Sequence, residues 1–180
     1  YHLWMQRFPD FQTLASAPFS DVLEVWLGLG YNRRAKFLHE CAKQVVAMGE
    51  LPKSRADLVK LKGIGVNTAG AVLAYAYNQP VVFIETNIRT VFLYHFFADQ
   101  AEVSDTALAK ILSETIDSEN PREWYWALMD YGTFLKQTVG NVSRNSKHYV
   151  KQSRFEGSNR QIRGKVLREA LDWLFLRPCE

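Results

Sequence analysis

The sequence predicts an all-α protein with short connections, and three observations carry that expectation. Capping residues stand in front of apolar-periodic runs along most of the 180 residues. Inside those runs the apolar residues recur at helical spacing, as in Ala35, Leu38, Ala42 and Val45. Only residues 80–84 read as a strand; they are too few to build a sheet alone, and the turn pairs typical of β-hairpins are absent.

Taken in order, Tyr1, Leu3, Trp4 and Phe8 already lie in a helical pattern, and an opening at Tyr1 rather than Met raises the expectation of a preceding N-terminal portion. Ser20 stands before a helix over residues 21–29, and residues 31–48 form the next. Ser54, with Asp57 three residues on, starts a third. A helix beginning near Asn67 or Thr68 follows; Ala69, Gly70, Ala71, Ala74 and Ala76 keep it slim, and Pro80 ends it. Residues 87–97 form another, Ser104 precedes one from Asp105, and Asn120-Pro121 with Glu123 opens one more. Ile162, Val166, Ala170 and Leu174 form the apolar face of the last helix, while composition shifts at residues 140–146 and 156–158 mark loops or boundaries.

A hydrophobic content of 47% is enough for a real core, so disorder is not the expectation. The net charge of +3 and pI near 8.9 are mildly basic and support nucleic-acid binding only weakly. Distribution says more. Arg144, Lys147, Lys151, Arg154, Arg160, Arg163, Lys165 and Arg168 face one acid, Glu156, within residues 144–168, so this segment is the candidate electropositive face; the alternative is a solvated face of the last helix. Cys41 and Cys179 stand alone, which argues against a disulfide scaffold or a zinc site and for a reducing, cytoplasmic, nucleoid-associated setting. No apolar run reaches the ~18 residues of a membrane span, and no signal peptide is visible. His2, His39, His95 and His148 lack metal-ligand spacing, and Trp124, Tyr125 and Trp126 read as packing.

Residues 61–70 (Leu61, Lys62, Gly63, Ile64, Gly65, Val66, Asn67, Thr68, Ala69, Gly70) are the most informative stretch. Two glycines around one apolar residue allow a tight turn with positive φ and a close backbone approach. The free N–H groups of the helix that follows point at an anion, which a DNA phosphate fits; the alternative is an ordinary helix–helix corner. Beyond Pro80 comes Val82-Phe83-Ile84-Glu85-Thr86-Asn87-Ile88-Arg89.

With these stretches the chain resembles the helix-hairpin-helix DNA glycosylase superfamily, whose hairpin is followed, after an apolar segment, by an acid-x-Asn/His motif opening a helix. The adenine glycosylase branch is the most similar: Gly28-Leu29-Gly30-Tyr31 resembles its Gly-Leu-Gly-Tyr turn, with Arg34, Ala35 and Leu38 in register. Further likeness lies at Arg7-Phe8-Pro9, Leu14-Ala15, Ala17-Pro18, Val22-Leu23, Leu51-Pro52 and Met129-Asp130-Tyr131-Gly132, about three quarters of the chain in all. The resemblance implies a two-lobed helical fold: a barrel lobe over residues 1–97 with the hairpin at about 58–78, a second lobe over 98–143, and a basic C-terminal segment and helix over 144–180.

The resemblance also implies the chemistry. Glu85 takes the place of the family's catalytic aspartate, which stabilises the cation developing on the sugar as the base leaves. Asn87 would hold that carboxylate or the adjacent backbone. A plain helix-end carboxylate is the other reading of Glu85, and its extra methylene relative to Asp moves the charge by ~1 Å. Leu61, Lys62, Gly63, Ile64, Gly65, Val66, Asn67 and Thr68 would meet DNA, Lys62 as a phosphate contact or a solvated charge. Tyr31 would insert beside the lesion or mispair, unless it is a core aromatic. Arg154, Arg160 and Arg163 would supply phosphate contacts where relatives carry a cluster loop.

Three departures from the family pattern shape the expectation. The lysine that forms a Schiff base in bifunctional relatives reads Asn67, which implies a monofunctional enzyme without lyase activity. Residues 133–136 lack the cysteines of the iron–sulfur cluster, so no cofactor is expected. The base-protonating glutamate and the Met-Leu-Gln-Gln-Thr-like stretch of relatives would precede Tyr1; a complete chain would lack that acid, and a fragment would have it upstream. The expected function is base excision from mispaired or damaged duplex DNA by a monomer, most like adenine removal. A thymine or uracil mismatch glycosylase and a non-catalytic helix-hairpin-helix DNA binder are the alternatives.

Overall fold

A computed structural model describes residues 1–176, and every regular element among them is helical. The chain divides into two compact units. The first joins residues 1–51, 61–63 and the chain from Gln152 onward; the second joins residues 52–60 and 64–151.

In the first unit, α1 (His2–Arg7) is followed by α2 (Phe11–Ser16), capped by Asp10, whose carboxylate accepts from the Thr13 amide and hydroxyl, both at 2.7 Å. Helix α3 (Phe19–Trp26) starts two residues before the expected Asp21. Pro18 sets the entry there, and the Ser20 hydroxyl donates to the Asp21 carboxylate instead of capping. Helix α4 (Arg33–Met48) starts after Tyr31 because Tyr31 adopts a left-handed φ of 51°, and it ends on Gly49 at φ 88°. Ala35 and Ala42 of α4 are fully buried with Phe8, Leu14 and Val22, their small side chains admitting α2 closely.

The second unit begins with α5 (Arg55–Leu58), where the Ser54 hydroxyl oxygen accepts from the Asp57 amide as the capping pattern predicts. Helix α6 (Val66–Tyr77) stops at Asn78, which takes the left-handed conformation (φ 52°) before Pro80 is reached. Helices α7 (Thr86–Phe96), α8 (Asp105–Thr115, capped by Ser104) and α9 (Pro121–Thr138, Pro121 in its first turn) complete the unit with a 3-10 turn, Val142–Asn145. Helix α7 buries Ile88, Thr90, Val91, Phe92 and Leu93 and is packed by α8, α9 and the 3-10 turn. A helix apolar on so many sides needs neighbours on all of them, so the unit cannot end at residue 97 as expected.

The strand-like residues 80–84 are extended but join no sheet. Their backbone groups are satisfied by side chains: the Tyr125 hydroxyl donates to Val81 O (2.8 Å) and accepts from Phe83 N (3.4 Å), and Arg55 donates to Val82 O (2.7 Å). Burial pushes the Tyr125 hydroxyl up to about 12, which keeps it a neutral donor.

Helix α10 (Asn159–Leu176) returns the chain to the first unit. Its expected apolar face is not the buried one: Ile162 and Val166 are 53% and 58% exposed, and Leu171 is buried. The inward line runs through Gln161, Gly164, Leu167 and Leu171. Gln161 turns back to accept from the Gly157 amide (2.8 Å), which fixes the rotation of the first turn.

Candidate active site and nucleic-acid interface

Glu85 is the N-cap of α7. Its backbone is extended (φ −120°, ψ 178°), and Oε1 accepts from the Asn87 amide at 2.5 Å and the Ile88 amide at 3.3 Å. The side chain is half-buried at the positive end of a helix whose body is core, so the charge is held in one place. The extended residues before it are fixed by Tyr125 and Arg55, and Gly70 gives Phe83 its room: a Cβ on Gly70 would lie 2.6 Å from Phe83 Cβ. Tyr75 packs edge-on to Phe83 and Tyr125 and stacks on Trp126; its hydroxyl is buried without a hydrogen bond. Burial, and secondarily the Glu85 charge, push that hydroxyl up.

Asn87 holds the carboxylate through its backbone N–H and not through its side chain. The side-chain Oδ1 instead accepts from the Nζ of Lys136 on α9. Gly132, one turn earlier on α9, makes this approach possible, since a Cβ there would lie 2.8 Å from the carbonyl carbon and the Cβ of Asn87. Lys136 joins the candidate site through this contact, and the sequence motifs do not single it out. Its i+4 spacing from Gly132 on one helix face is the signal that could have found it.

The hairpin spans the boundary between the units. On the first-unit side, Leu61 is buried, so its side chain serves the core and not a ligand. The Lys62 amide donates to the Gln44 side chain (2.7 Å), and the Lys62 ammonium lies over the Phe37 ring. Gly63 has φ 77°, and a Cβ there would stand 2.5 Å from Phe37 Cβ. On the second-unit side Ile64 is half-buried, and Gly65, Val66, Asn67 and Thr68 are exposed. Gly65, expected to need positive φ like Gly63, has φ −90° and open space at its Cβ position. It is the N-cap of α6, which has no side-chain cap, so the Val66, Asn67 and Thr68 amides have no partner within the helix. Asn67 stands there, with no lysine at its position.

Tyr31 is 63% exposed, which rules out the core-aromatic alternative. It follows Gly28 and Gly30, both at positive φ, and its hydroxyl accepts from Gln152 Nε2 at 2.6 Å. Arg154 pairs with Glu156 (3.1 Å), Arg160 donates to Ser153 O (2.7 Å), and Arg163 makes no ion pair among the described residues. Cys41 is buried and burial pushes its thiol up, whereas Cys179 lies outside the described residues. Among the described residues no helix is long and apolar enough to cross a membrane.

A glycine-turned hairpin opening one helix and a carboxylate capping the next define a class within the helix-hairpin-helix fold. Residues 1–116 match the family described as HhH-GPD superfamily base excision DNA repair protein, and the chain belongs to that family. Among characterised relatives, the adenine DNA glycosylase of Buchnera aphidicola is 27% identical over 98% of this chain and 53% of its own length. The adenine DNA glycosylase of Mycobacterium tuberculosis is 39% identical over 72% of this chain and 44% of its own. The chain thus spans about half the length of these relatives. A thermostable thymine-DNA glycosylase superposes with a TM-score of 0.60 at 22% identity over 73% of this chain and 63% of that one. Endonuclease III in a non-covalent DNA complex gives 0.56 at 18% identity over 93% and 75%. At such identities these likenesses establish the fold.

Proposed function

We propose that the protein is a monofunctional DNA glycosylase that hydrolyses the N-glycosidic bond of a mispaired or damaged base in duplex DNA, most like adenine excision. The observation that carries this reading is Glu85, a carboxylate fixed by two α7 amides within a chain of the base-excision repair family. As the bond to the base breaks, its electron pair leaves with the base and the sugar carbon becomes cationic. A preorganised negative charge favours that state; water then adds to the carbon and loses a proton to solvent, while the departing base takes up one. The adenine assignment draws on the relatives' activity. The exposed amides of Val66, Asn67 and Thr68 would receive a backbone phosphate, and Arg154, Arg160 and Arg163 would add contacts. Asn67 cannot form a Schiff base, and no iron–sulfur cluster takes part.

The test is Glu85→Gln, which keeps size and hydrogen bonding but removes the charge. Base release from an A-containing mispair, assayed with the polypeptide of the full reading frame, should fall about a thousandfold, ~4 kcal/mol of barrier, while DNA affinity persists. Products should be abasic sites that break only after added alkali. Equal activity in the variant would make Glu85 a cap and the protein a non-catalytic binder; direct nicking would refute the monofunctional reading.

A further inference from the structure

We propose that the first unit carries a pocket for a single unpaired DNA nucleotide, built by α10 against the turn that precedes α4. This rests on DNA being the ligand, as above, but not on base release.

The cavity measures about 950 Å3, within the range of small-molecule sites and ample for one nucleotide. Its walls carry three rings, Tyr31, Phe37 and Phe155. Arg33 and Arg34 of α4 line it, and from α10 come Arg160, Arg163, Lys165 and Arg168. Glu169 and Asp172 are the only acids in the lining, so six cations face two anions. Arg163, Lys165 and Arg168 make no ion pair among the described residues, so their charge is available to a ligand.

Rings and cations are also paired. Arg34 lies 5.2 Å from the Tyr31 ring centre, Arg33 lies 5.0 Å from that of Phe37, and Arg160 lies 5.9 Å from that of Phe155. A ring with a guanidinium over one face suits a nucleotide, since a base can stack on the other face while its phosphate meets the charge. The turn presents Tyr31 outward through its left-handed backbone and the Gln152 hydrogen bond, so the ring is held open and not collapsed into the core. The faces of a paired base are covered by its neighbours in the stack, so these rings can stack only on a base that has left the helix, hence an unpaired one. From Arg160 to Arg168 the helix rises about 12 Å. At about 3.4 Å per nucleotide that distance follows several phosphates of a strand, more than a free mononucleotide offers.

The experiment compares the 180-residue chain on a duplex with one unpaired 2-aminopurine nucleotide, on the same duplex fully paired, and on free dAMP. The unpaired duplex should bind about tenfold more tightly, with its fluorescence quenched by stacking. Phe155→Ala should bring the ratio close to one and relieve the quench. Arg163→Gln with Arg168→Gln should lower the slope of log affinity against log salt by about 0.9 for each phosphate no longer neutralised. Equal affinity for the two duplexes, or a quench untouched by Phe155→Ala, would overturn the pocket. Free dAMP competing at the concentration of the duplex would overturn the DNA assignment in favour of a mononucleotide site. Failure of the glycosylase reading would show as absent base release by the polypeptide of the full reading frame with the unpaired preference intact. Failure of the pocket would show as base release without that preference.

Discussion

Glu85 closes the amide end of α7 with one carboxylate oxygen, and the same two hydrogen bonds that cap the helix keep the charge from swinging toward solvent. Asn87 couples the cap to α9, because its amide serves Glu85 while its side chain takes the Lys136 ammonium. Under the proposed function Lys136 acts as a positioning residue. Lys136→Met should lower kcat about tenfold, ~1.4 kcal/mol, with KM little changed, and Lys136→Arg should restore most of it. A fall in melting temperature with kcat intact would leave Lys136 a merely structural contact. The place of Glu85 and Asn87 at the head of α7 was legible in sequence because their motif is local, two residues long in its spacing. Lys136 was not, because a contact across 49 residues depends on how α9 lies on α7, and only Gly132 hints at that closeness.

Among the elements, the hairpin separates two roles that look alike in sequence. Gly63 is required by the fold, with positive φ and Phe37 against the site of any Cβ, whereas Gly65 is free of both constraints. Gly63→Ala should destabilise by about 1–3 kcal/mol in chemical denaturation. Gly65→Val should cost within about 1 kcal/mol yet weaken binding to all duplexes alike, because the branched side chain covers the α6 amides. Unchanged affinity in the folded Gly65→Val protein would remove α6 from the DNA surface. Caps at Ser54 and Ser104 were readable because a side chain and an amide three residues apart determine them, and the start of α9 was readable from Pro121 in its first turn, with no side-chain cap from Asn120. Ser20 misled because Pro18 opens α3 earlier, and the face of α10 misled because Gln161 turns inward to bond the preceding loop.

For the molecule as a whole, the all-helical class followed from periodicity, but the division into units did not. Residue 97 closes a helical run, yet the core of the second unit continues through Leu108, Leu112, Tyr125 and Leu135. Acid should act on the first unit through His39. This ring is buried, stacked on Phe19 (5.6 Å) and without a partner for Nε2. Burial, then Lys43, hold its pKa below the usual 6.5, outweighing the opposite pull of Glu40 and nearby backbone. The unfolded chain then binds the extra proton, so the stabilisation is present above pH 6.5 and is lost as pH falls through the folded value. Melting temperature should drop as pH falls below 6.5, and His39→Gln should flatten that drop; an equal slope in the variant would exclude His39 as its source. The first unit is also assembled from both ends of the described chain, residues 1–51 and the stretch from Gln152 onward, with all of the second unit encoded between them. During synthesis, a ribosome that has released residues 52–151 has delivered everything the second unit needs, while the first still waits for α10. Translation thus imposes an order of maturation: the carboxylate site can be formed while the Tyr31 pocket is still missing a wall.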